Sequence, residues 1–254
     1  MKVTAIITNY NRYISVKDAI ESVFLQTYKD IEIIVVDDCS EIKANEYLKA
    51  YIPRIKILQL DKNSGISHAR NKGAMAASGD FIAFLDSDDL WLKDKITKQI
   101  NCINKDKSLI CHTDEFWYRK DRFVNSGKKH QKYGGFIFDK ILDKCRVSPS
   151  SFIIEKNLFL SHQGFNENLK VCEDYELFIR LSVNNKFSYI PQKLIVKRAI
   201  ESNSLSAAIK HIESLRLDIL TKLACNMQNL PPEMTKALKE EIKKKESIVK
   251  NHIK

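Results

Sequence analysis

The chain has 254 residues, 44% hydrophobic and 29% charged, the profile of a globular protein with one substantial core. No apolar run approaches the ~20 residues of a membrane-spanning helix, residues 1–10 lack signal-peptide architecture, and six cysteines are scattered without a Cys-x-x-Cys pair. A transmembrane protein, a secreted disulfide scaffold and a zinc knuckle are therefore disfavoured, and reduced thiols in the cytoplasm are expected. The formal net charge of +10 calls for an anionic partner: nucleic acid, an anionic membrane surface or a phosphorylated substrate.

Val3, Ala5, Ile6 and Ile7 predict a first strand that stops at Thr8-Asn9-Tyr10-Asn11-Arg12. Val16, Ala19, Ile20, Val23 and Phe24 have the spacing of a helix over 15–26 with one buried face. A second buried strand over 31–36 ends in Asp37-Asp38, a polar helix runs to about residue 51, and a third strand covers 55–60. Gly65 opens a helix carrying His68, Ala69, Arg70 and Gly73 that ends near residue 77. The alternation predicts a doubly wound, mainly parallel sheet flanked by helices. It contains neither Gly-x-Gly-x-x-Gly after the first strand nor Gly-Lys-Ser/Thr, so neither a dinucleotide fingerprint nor a phosphate loop holds the ligand.

The segment 80–89 concentrates the chemistry. Phe81, Ile82, Ala83, Phe84 and Leu85 predict a buried parallel strand, and Asp86, Ser87, Asp88 and Asp89 fall at its carboxyl end, the edge where open α/β sheets bind ligands. An Asp-x-Asp pair offers hard oxygen ligands to magnesium or manganese. The same residues could instead cap a helix over 90–104, with Asp88 and Asp89 at its positive end. Both readings stand on this stretch alone.

Beyond Cys111, Phe116, Trp117, Tyr118, Phe123 and Tyr133 are interleaved with basic residues, and a sugar-facing or lid-like region is favoured over a nucleic-acid surface. A strand over 152–154, a short helix from Lys156 and the turn Gln163-Gly164-Phe165-Asn166-Glu167 follow. Leu177, Phe178 and Leu181 describe an amphipathic helix over 174–183 that begins at Glu173-Asp174, either as a cap or as a carboxylate aimed into a cleft. Cys172 is expected to pack or to border that site. A last strand covers 189–196. The remainder reads as basic helices interrupted at Pro231-Pro232, with a solvated face.

The order of these features resembles the family 2 glycosyltransferases with the GT-A fold. The matching pieces are Thr8-Asn-Tyr-Asn-Arg12, Val35-Val-Asp-Asp38 with Ser40, Asn63-Ser-Gly65 with Ala69-Arg-Asn-x-Gly73, Asp86-Ser-Asp-Asp89, Ser150-Ser151, Gly164-Phe-Asn-Glu167 and Glu173-Asp174 with Arg180. The resemblance implies a nucleotide-sugar-binding half over 1–112, an acceptor-binding half over 113–206 and a basic helical tail over 207–254. It further implies transfer of a sugar from a UDP-sugar to a hydroxyl with inversion. Asp38 would then accept from the uracil ring, in a pocket shared by Thr8, Asn9, Tyr10 and Arg12. Asp88 would bind Mn2+ or Mg2+ directly, Asp86 would touch the ribose or the metal through water, and Ser87 would join the donor site. Arg70 would meet the phosphates, Asp174 would be the general base, and Glu173 and Trp117 would support or contact the acceptor.

One departure stands out. Relatives carry a histidine shortly before a Ser-x-Ser pair; aligning Ser204-Leu-Ser206 places Glu201 there, which leaves Lys197 or Arg198 to serve the diphosphate. The expected partners are a UDP-sugar and a glycan acceptor, lipid-linked or free, in surface polysaccharide or lipooligosaccharide synthesis, with no nucleic acid. The tail would hold the protein at the inner face of the plasma membrane or pair it with another subunit through the C-terminal helices. The rivals are a catalytically inactive nucleotide-sugar-binding protein, a phospho-receiver domain, and a haloacid dehalogenase-like phosphatase, whose Asp-x-Asp-x-Thr motif is approximated here but meets Leu90 at its last position.

Overall fold

A computed structural model describes the chain except residues 121, 125–126, 128–129, 199–211, 227–228 and 253–254. Glu201, Ser204 and Ser206 lie outside the described residues. The first half alternates as the apolar runs require: β1 (Val3–Asn9), α1 (Ser15–Phe24), β2 (Ile31–Asp37), a short α2 (Ala44–Tyr47), β3 (Lys56–Gln59), α3 (Ile66–Ala76) and β4 (Phe81–Asp86). Next come β5 (Leu90–Trp91), α4 (Lys95–Asp106), β6 (Ile110–Arg119), β7 (Arg122–Val124), α5 (Phe138–Ile141), β8 (Phe152–Glu155), α6 (Lys156–Ser161), α7 (Glu173–Ser182) and β9 (Phe187–Arg198). Two helices, α8 (Ile212–Asn226) and α9 (Pro232–His252), follow.

Among the described residues the strands form one nine-stranded sheet in the order β3-β2-β1-β4-β8-β6-β9-β5, with β7 paired to β6. β3, β2, β1 and β4 run parallel, as the alternating pattern predicts. The sheet then becomes mixed: β8 is antiparallel to β4 and β6, β9 is parallel to β6, and β5 is antiparallel to β9. Parallel pairing thus holds across β3, β2, β1 and β4 and returns between β6 and β9, in a sheet that is mixed beyond β4. β8, the strand antiparallel to both its neighbours, is reached from β7 through an irregular stretch around the short α5, which does not impose the parallel crossover geometry of βαβ units.

Register sets the height of the site. Thr8 stands opposite Val36 on one side and Asp86 on the other, and Asn9 opposite Asp37, so the polar ends of β1, β2 and β4 fall in one row. Alternate residues of these strands feed two cores. On one face Ile6, Ile34, Val36 and Phe84 pack with α3, α7 and the C-terminal helices. On the other, Ala5, Ile7, Val35 and Leu85 pack with α1 and α4 through Val16, Ile20, Ile96 and Ile100.

Three expectations need correction. The helix expected over 90–104 begins only at Lys95, because Leu90 and Trp91 form β5 and pair with Val196 and Ile195. That pairing joins residues about a hundred positions apart, which helical periodicity cannot reveal. The helix expected to run to residue 51 is the single turn of α2, followed by a 3-10 helix over Lys49–Arg54 that holds Pro53. The tail keeps its solvated face at Lys236, Lys239, Lys243 and Lys244 but not at Lys245, and its other face belongs to the main core, where Ile219, Leu220, Leu223 and Leu238 are buried. Lys245 is 1% exposed and donates to Asp143 O at 2.8 Å and to Glu213 at 2.7 Å.

Gly73 shows how closely α3 lies on the sheet: a Cβ there would stand 2.4 Å from Ile6 Cγ2. Gly73→Val is expected to cost about 1–3 kcal/mol through overpacking. A urea denaturation midpoint equal to wild type would contradict this close approach.

Candidate active site

β1 lies between β2 and β4, and the chain visits β2 before it returns to β4, so the crevice above β1 is a topological switch point where open sheets collect ligands. A cavity of about 1100 Å³ fills this crevice. Its walls include Thr8, Asn9, Tyr10, Arg12 and Asp38 from the β1 and β2 ends, and Asp86, Ser87, Asp88 and Asp89 from the β4 end. Trp117 from β6 and Asp174 from α7 complete the set. The structure therefore brings the sequence-predicted residues together around one space, except Arg70 and Glu173, which are absent from its lining. Cys172 also borders the cavity. A second hollow, of about 950 Å³, runs along β3 and α3 with Asp61 as its one carboxylate, and nothing in it concentrates chemistry.

The strand ends are held by side chains that themselves came from the recognised motifs. Asp37 is fully buried and accepts from Tyr47 Oη at 2.6 Å, from Ser40 N and Gln59 Nε2 at 2.8 Å each, and from Asn9 Nδ2 at 3.2 Å. Burial opposes its charge, but these donors outweigh it and hold the carboxyl below its ordinary range. Asp38 accepts from Ser64 N through one oxygen and Gly65 N through the other, both at 2.8 Å. This fixes the loop before α3, where Gly65 takes a φ of +88°. Tyr10, 48% exposed, offers a ring face beside Thr8 and Asp38.

Arg70 lies behind the cavity wall, 2% exposed, and its fork spans two elements: Nη2 donates to Asp86 at 2.7 Å and Nη1 to Glu173 at 2.8 Å. Its charge is therefore engaged by carboxylates of the β4 end and the α7 start. Asn71 ties the next turn, donating to Phe165 O at 2.8 Å and accepting from Phe165 N at 2.9 Å. Arg180 closes the same turn on Gly164 O at 2.7 Å. Gly164 has a φ of +61°, and a Cβ there would stand 2.4 Å from Asn71 Oδ1.

At the β4 end three carboxylates differ in their surroundings. Burial penalises Asp86, but Arg70 and Lys197 prevail and keep its carboxyl below the ordinary range. Asp88 is raised by burial and by the charge of Asp86, against the pull of its ion pair with Arg12. Asp89 is pushed up to about 8, chiefly by burial, with Lys197 opposing and Asp86 and Asp88 adding to the rise. The helix-cap role expected of these residues is not found: α4 is preceded by Asp94, and no side chain caps it. Asp89 instead accepts from Ser150 Oγ at 2.7 Å and from Arg198 N at 3.1 Å, so it ties β4 to the ends of β8 and β9. Among the described residues no three His, Cys, Asp or Glu side chains converge as a complete metal-ligand set. Asp86 and Asp88 nevertheless bring hard oxygen donors to the same cavity, and Asp88 feels the charge of Asp86, a chemistry that fits a divalent cation completing its shell with ligand oxygens.

Across the cavity, Asp174 occupies the first turn of α7, where the positive end of the helix dipole favours a carboxylate. Its Oδ1 accepts from Tyr175 N at 2.7 Å. Glu173 is raised by burial and by Asp174, with Arg70 opposing. Sequence reading missed the network behind Trp117. Glu115, 6% exposed, accepts from Trp117 Nε1, Lys132 Nζ and Ser148 Oγ, each at 2.7 Å, and so fixes the indole. A glutamate amid the apolar and aromatic residues of one strand was the available signal. Arg146, Arg216 and Cys145 also line the cavity, and they reach it only through tertiary folding.

The mixed sheet with helices on both faces is the GT-A fold, and solved structures share that fold. S. aureus TarS 1–349 in complex with UDP-GlcNAc aligns with a TM-score of 0.78 and 22% identity, covering 95% of this chain and 70% of that one. The Pyrobaculum calidifontis mannosyltransferase PcManGT, in complex with GDP-Man and Mn2+, aligns with a TM-score of 0.71 and 16% identity, covering 95% and 69%. The model of glycosyl transferase family 2 matches residues 4–167, and the chain belongs to that family. It is 42% identical to the Bacillus subtilis putative teichuronic acid biosynthesis glycosyltransferase TuaG over 213 residues, 81% of each chain. It is 30% identical to the Escherichia coli UDP-Glc:alpha-D-GlcNAc-diphosphoundecaprenol beta-1,3-glucosyltransferase WfgD over 192 residues, 74% of this chain and 72% of that one. An uncharacterized glycosyltransferase of Rickettsia felis is 34% identical over 201 residues, and the match spans only 32% of that relative's length.

Two expectations follow from the charges. Arg70→Met removes a buried guanidinium and leaves two half-buried carboxylates unpaired, and it is expected to cost about 3 kcal/mol in urea denaturation at neutral pH. Because the folded pKa of Asp86 is depressed, its share of stability is present above the ordinary value of 3.8 and disappears as pH falls through the lower folded value, so the deficit narrows in acid. Asp89 has the opposite sign. Between pH 3.8 and about 8 the folded state holds a proton that the unfolded chain has released, so stability declines as pH rises across that window. Thermal melts in metal-free buffer should show this decline in wild type and a flatter profile in Asp89→Asn.

Proposed function

We propose that the chain is an inverting glycosyltransferase that moves a sugar from a UDP-sugar to a hydroxyl of a glycan acceptor in cell-surface polysaccharide synthesis. The observation that carries this reading is that Asp174 and the Asp86–Asp88 edge line one cavity. The fold shared with a UDP-GlcNAc complex and the likeness to TuaG and WfgD support it. WfgD's name specifies a diphosphoundecaprenol-linked acceptor, which favours a lipid-linked acceptor here as well.

The nucleoside sits beside Thr8, Asn9, Tyr10 and Asp38, with Tyr10 offering a stacking face and Asp38 shaping the loop over the base. Arg12 and Ser87 close the donor pocket, and the donor and acceptor halves are residues 1–112 and 113–206. Asp88, with Asp86, would hold Mn2+ or Mg2+, which when bound neutralises charge on the leaving diphosphate as a Lewis acid. Arg70 keeps Asp86 ionised and anchors Glu173, so the donor edge and the base are set at a constant spacing. Trp117 presents a ring face to an acceptor sugar, held by Glu115 from behind. The acceptor hydroxyl attacks the anomeric carbon from the side opposite the diphosphate, and its proton passes to the Asp174 carboxylate. One displacement by a single base inverts the anomeric centre, unlike the carboxylate pair of a retaining hydrolase.

Among the described residues no helix is long and apolar enough to cross a membrane. The exposed lysines of α9, including Lys239 and Lys244, suit contact with anionic lipid at the inner face of the plasma membrane, where a lipid-linked acceptor would be met.

Nucleotide sugars incubated with the protein and manganese should reveal one that is hydrolysed or transferred. Asp174→Asn should lower transfer by about 10²–10⁴ while retaining donor binding, and chelation of the metal should abolish turnover. Failure of every donor to bind or react under any metal condition would sink the enzyme reading.

A further inference from the structure

Lys197 stands near the end of β9, opposite Trp117 in the pairing with β6, and lines the cavity between the donor edge and the α7 carboxylate. Burial alone would strip the charge from an ammonium. Glu115, Asp89, Asp86 and Asp174 outweigh that penalty and keep Lys197 protonated. Yet among the described residues its side chain makes no hydrogen bond or close ion pair.

The neighbouring cations are committed. Arg12 pairs with Asp88, Arg70 with Asp86 and Glu173, and Lys132 with Glu115. Arg198, the other candidate from the sequence, donates through Nε to Asp88 O at 2.6 Å and through Nη1 to Asp18 at 2.8 Å, which ties its guanidinium to the loop after β4 and to α1 and leaves only Nη2 without a partner among the described residues. The carboxylates around Lys197 likewise have other partners: Glu115 has Lys132 and Ser148, Asp89 has Ser150, and Asp86 has Arg70. Lys197 is thus held charged by a ring of anions while its three N–H donors stay unspent. A diphosphate entering here adds negative charge to an edge already carrying Asp86 and Asp88, and it needs a cation with donors to give.

We propose that Lys197 is a catalytic residue of the transfer, its ammonium donating to the oxygens of the leaving diphosphate. The inference rests on the reading of the chain as a nucleotide-sugar transferase. As the bond between the anomeric carbon and the diphosphate oxygen breaks, the electron pair goes to that oxygen and the proton of the acceptor goes to Asp174. Lys197 supplies positive charge to the leaving oxygens and transfers no proton, and a preorganised donor of this kind acts where charge develops.

The test is calorimetric titration of the whole chain, with manganese present, using UDP against uridine and GDP against guanosine. The gain from nucleoside to diphosphate is then read whichever base the pocket prefers. Lys197→Met should lose at least about tenfold of its affinity for the preferred diphosphate, with the nucleoside unchanged, as removal of a charge-assisted hydrogen bond implies. Lys197→Arg should keep most of the gain, and it serves if the methionine variant does not unfold cooperatively, by showing a diphosphate gain between none and that of wild type. An unaltered diphosphate gain in Lys197→Met, or equal losses for nucleoside and diphosphate, would overturn the role. A pocket that prefers GDP would refute the UDP reading alone, and a wild-type chain with no diphosphate gain for either base would refute both.

Discussion

One buried guanidinium joins the two walls of the site. Arg70 reaches from α3 to Asp86 at the end of β4 and to Glu173 at the start of α7, 2% exposed and with both terminal nitrogens spent. Each of its partners would be costly alone, because an ionised carboxylate in a dry setting needs both a counter-charge and hydrogen bonds. Bound together they form a brace whose length sets the separation of the acidic edge from Asp174. The rest of the site inherits its geometry from that brace. The approach of α3 to β1 that puts Arg70 there depends in turn on the missing side chain of Gly73.

The surrounding polar residues divide into those that face the cavity and those that hold the facing ones still. Asp37, Asn71, Ser150 and Arg180 belong to the second group: each satisfies buried backbone or side-chain partners at a strand end or a turn. Preorganised sites require such support, since a displacement of an ångström in a reacting group is felt directly in rate. Several residues that make the chain resemble its family are of this kind, which explains why the resemblance is carried by spacing and order more than by any one motif.

Much of this was legible in the sequence, for a local reason. Runs such as Val3–Asn9 and Phe81–Asp86 are short, apolar and terminated by charge, so both the strand and its chemically active end follow from neighbouring residues. What escaped depends on contacts distant in sequence. Leu90 and Trp91 look like the start of a helix until β9 supplies a partner, and Asp89 looks like its cap until Ser150 and Arg198 approach. Glu115 and Lys132 neutralise each other across 17 residues, a relation that no local periodicity reports. The lysines of the C-terminal helices likewise read as a solvated surface, whereas Lys245 is buried against Asp143 and Glu213.

Those two helices also bear on the order in which the molecule becomes whole. Leu220 and Leu238 complete the apolar face that Phe84 and Phe178 begin, and Ile212 and Arg216 wall the far side of the cavity. During synthesis the parallel strands and the acidic edge emerge early, while the wall opposite them is made after the sheet. A nascent chain therefore holds a formed acidic edge over an open, greasy flank until α8 and α9 arrive to seal it. The interval exposes the chain to aggregation, and it ends with the same step that encloses the site.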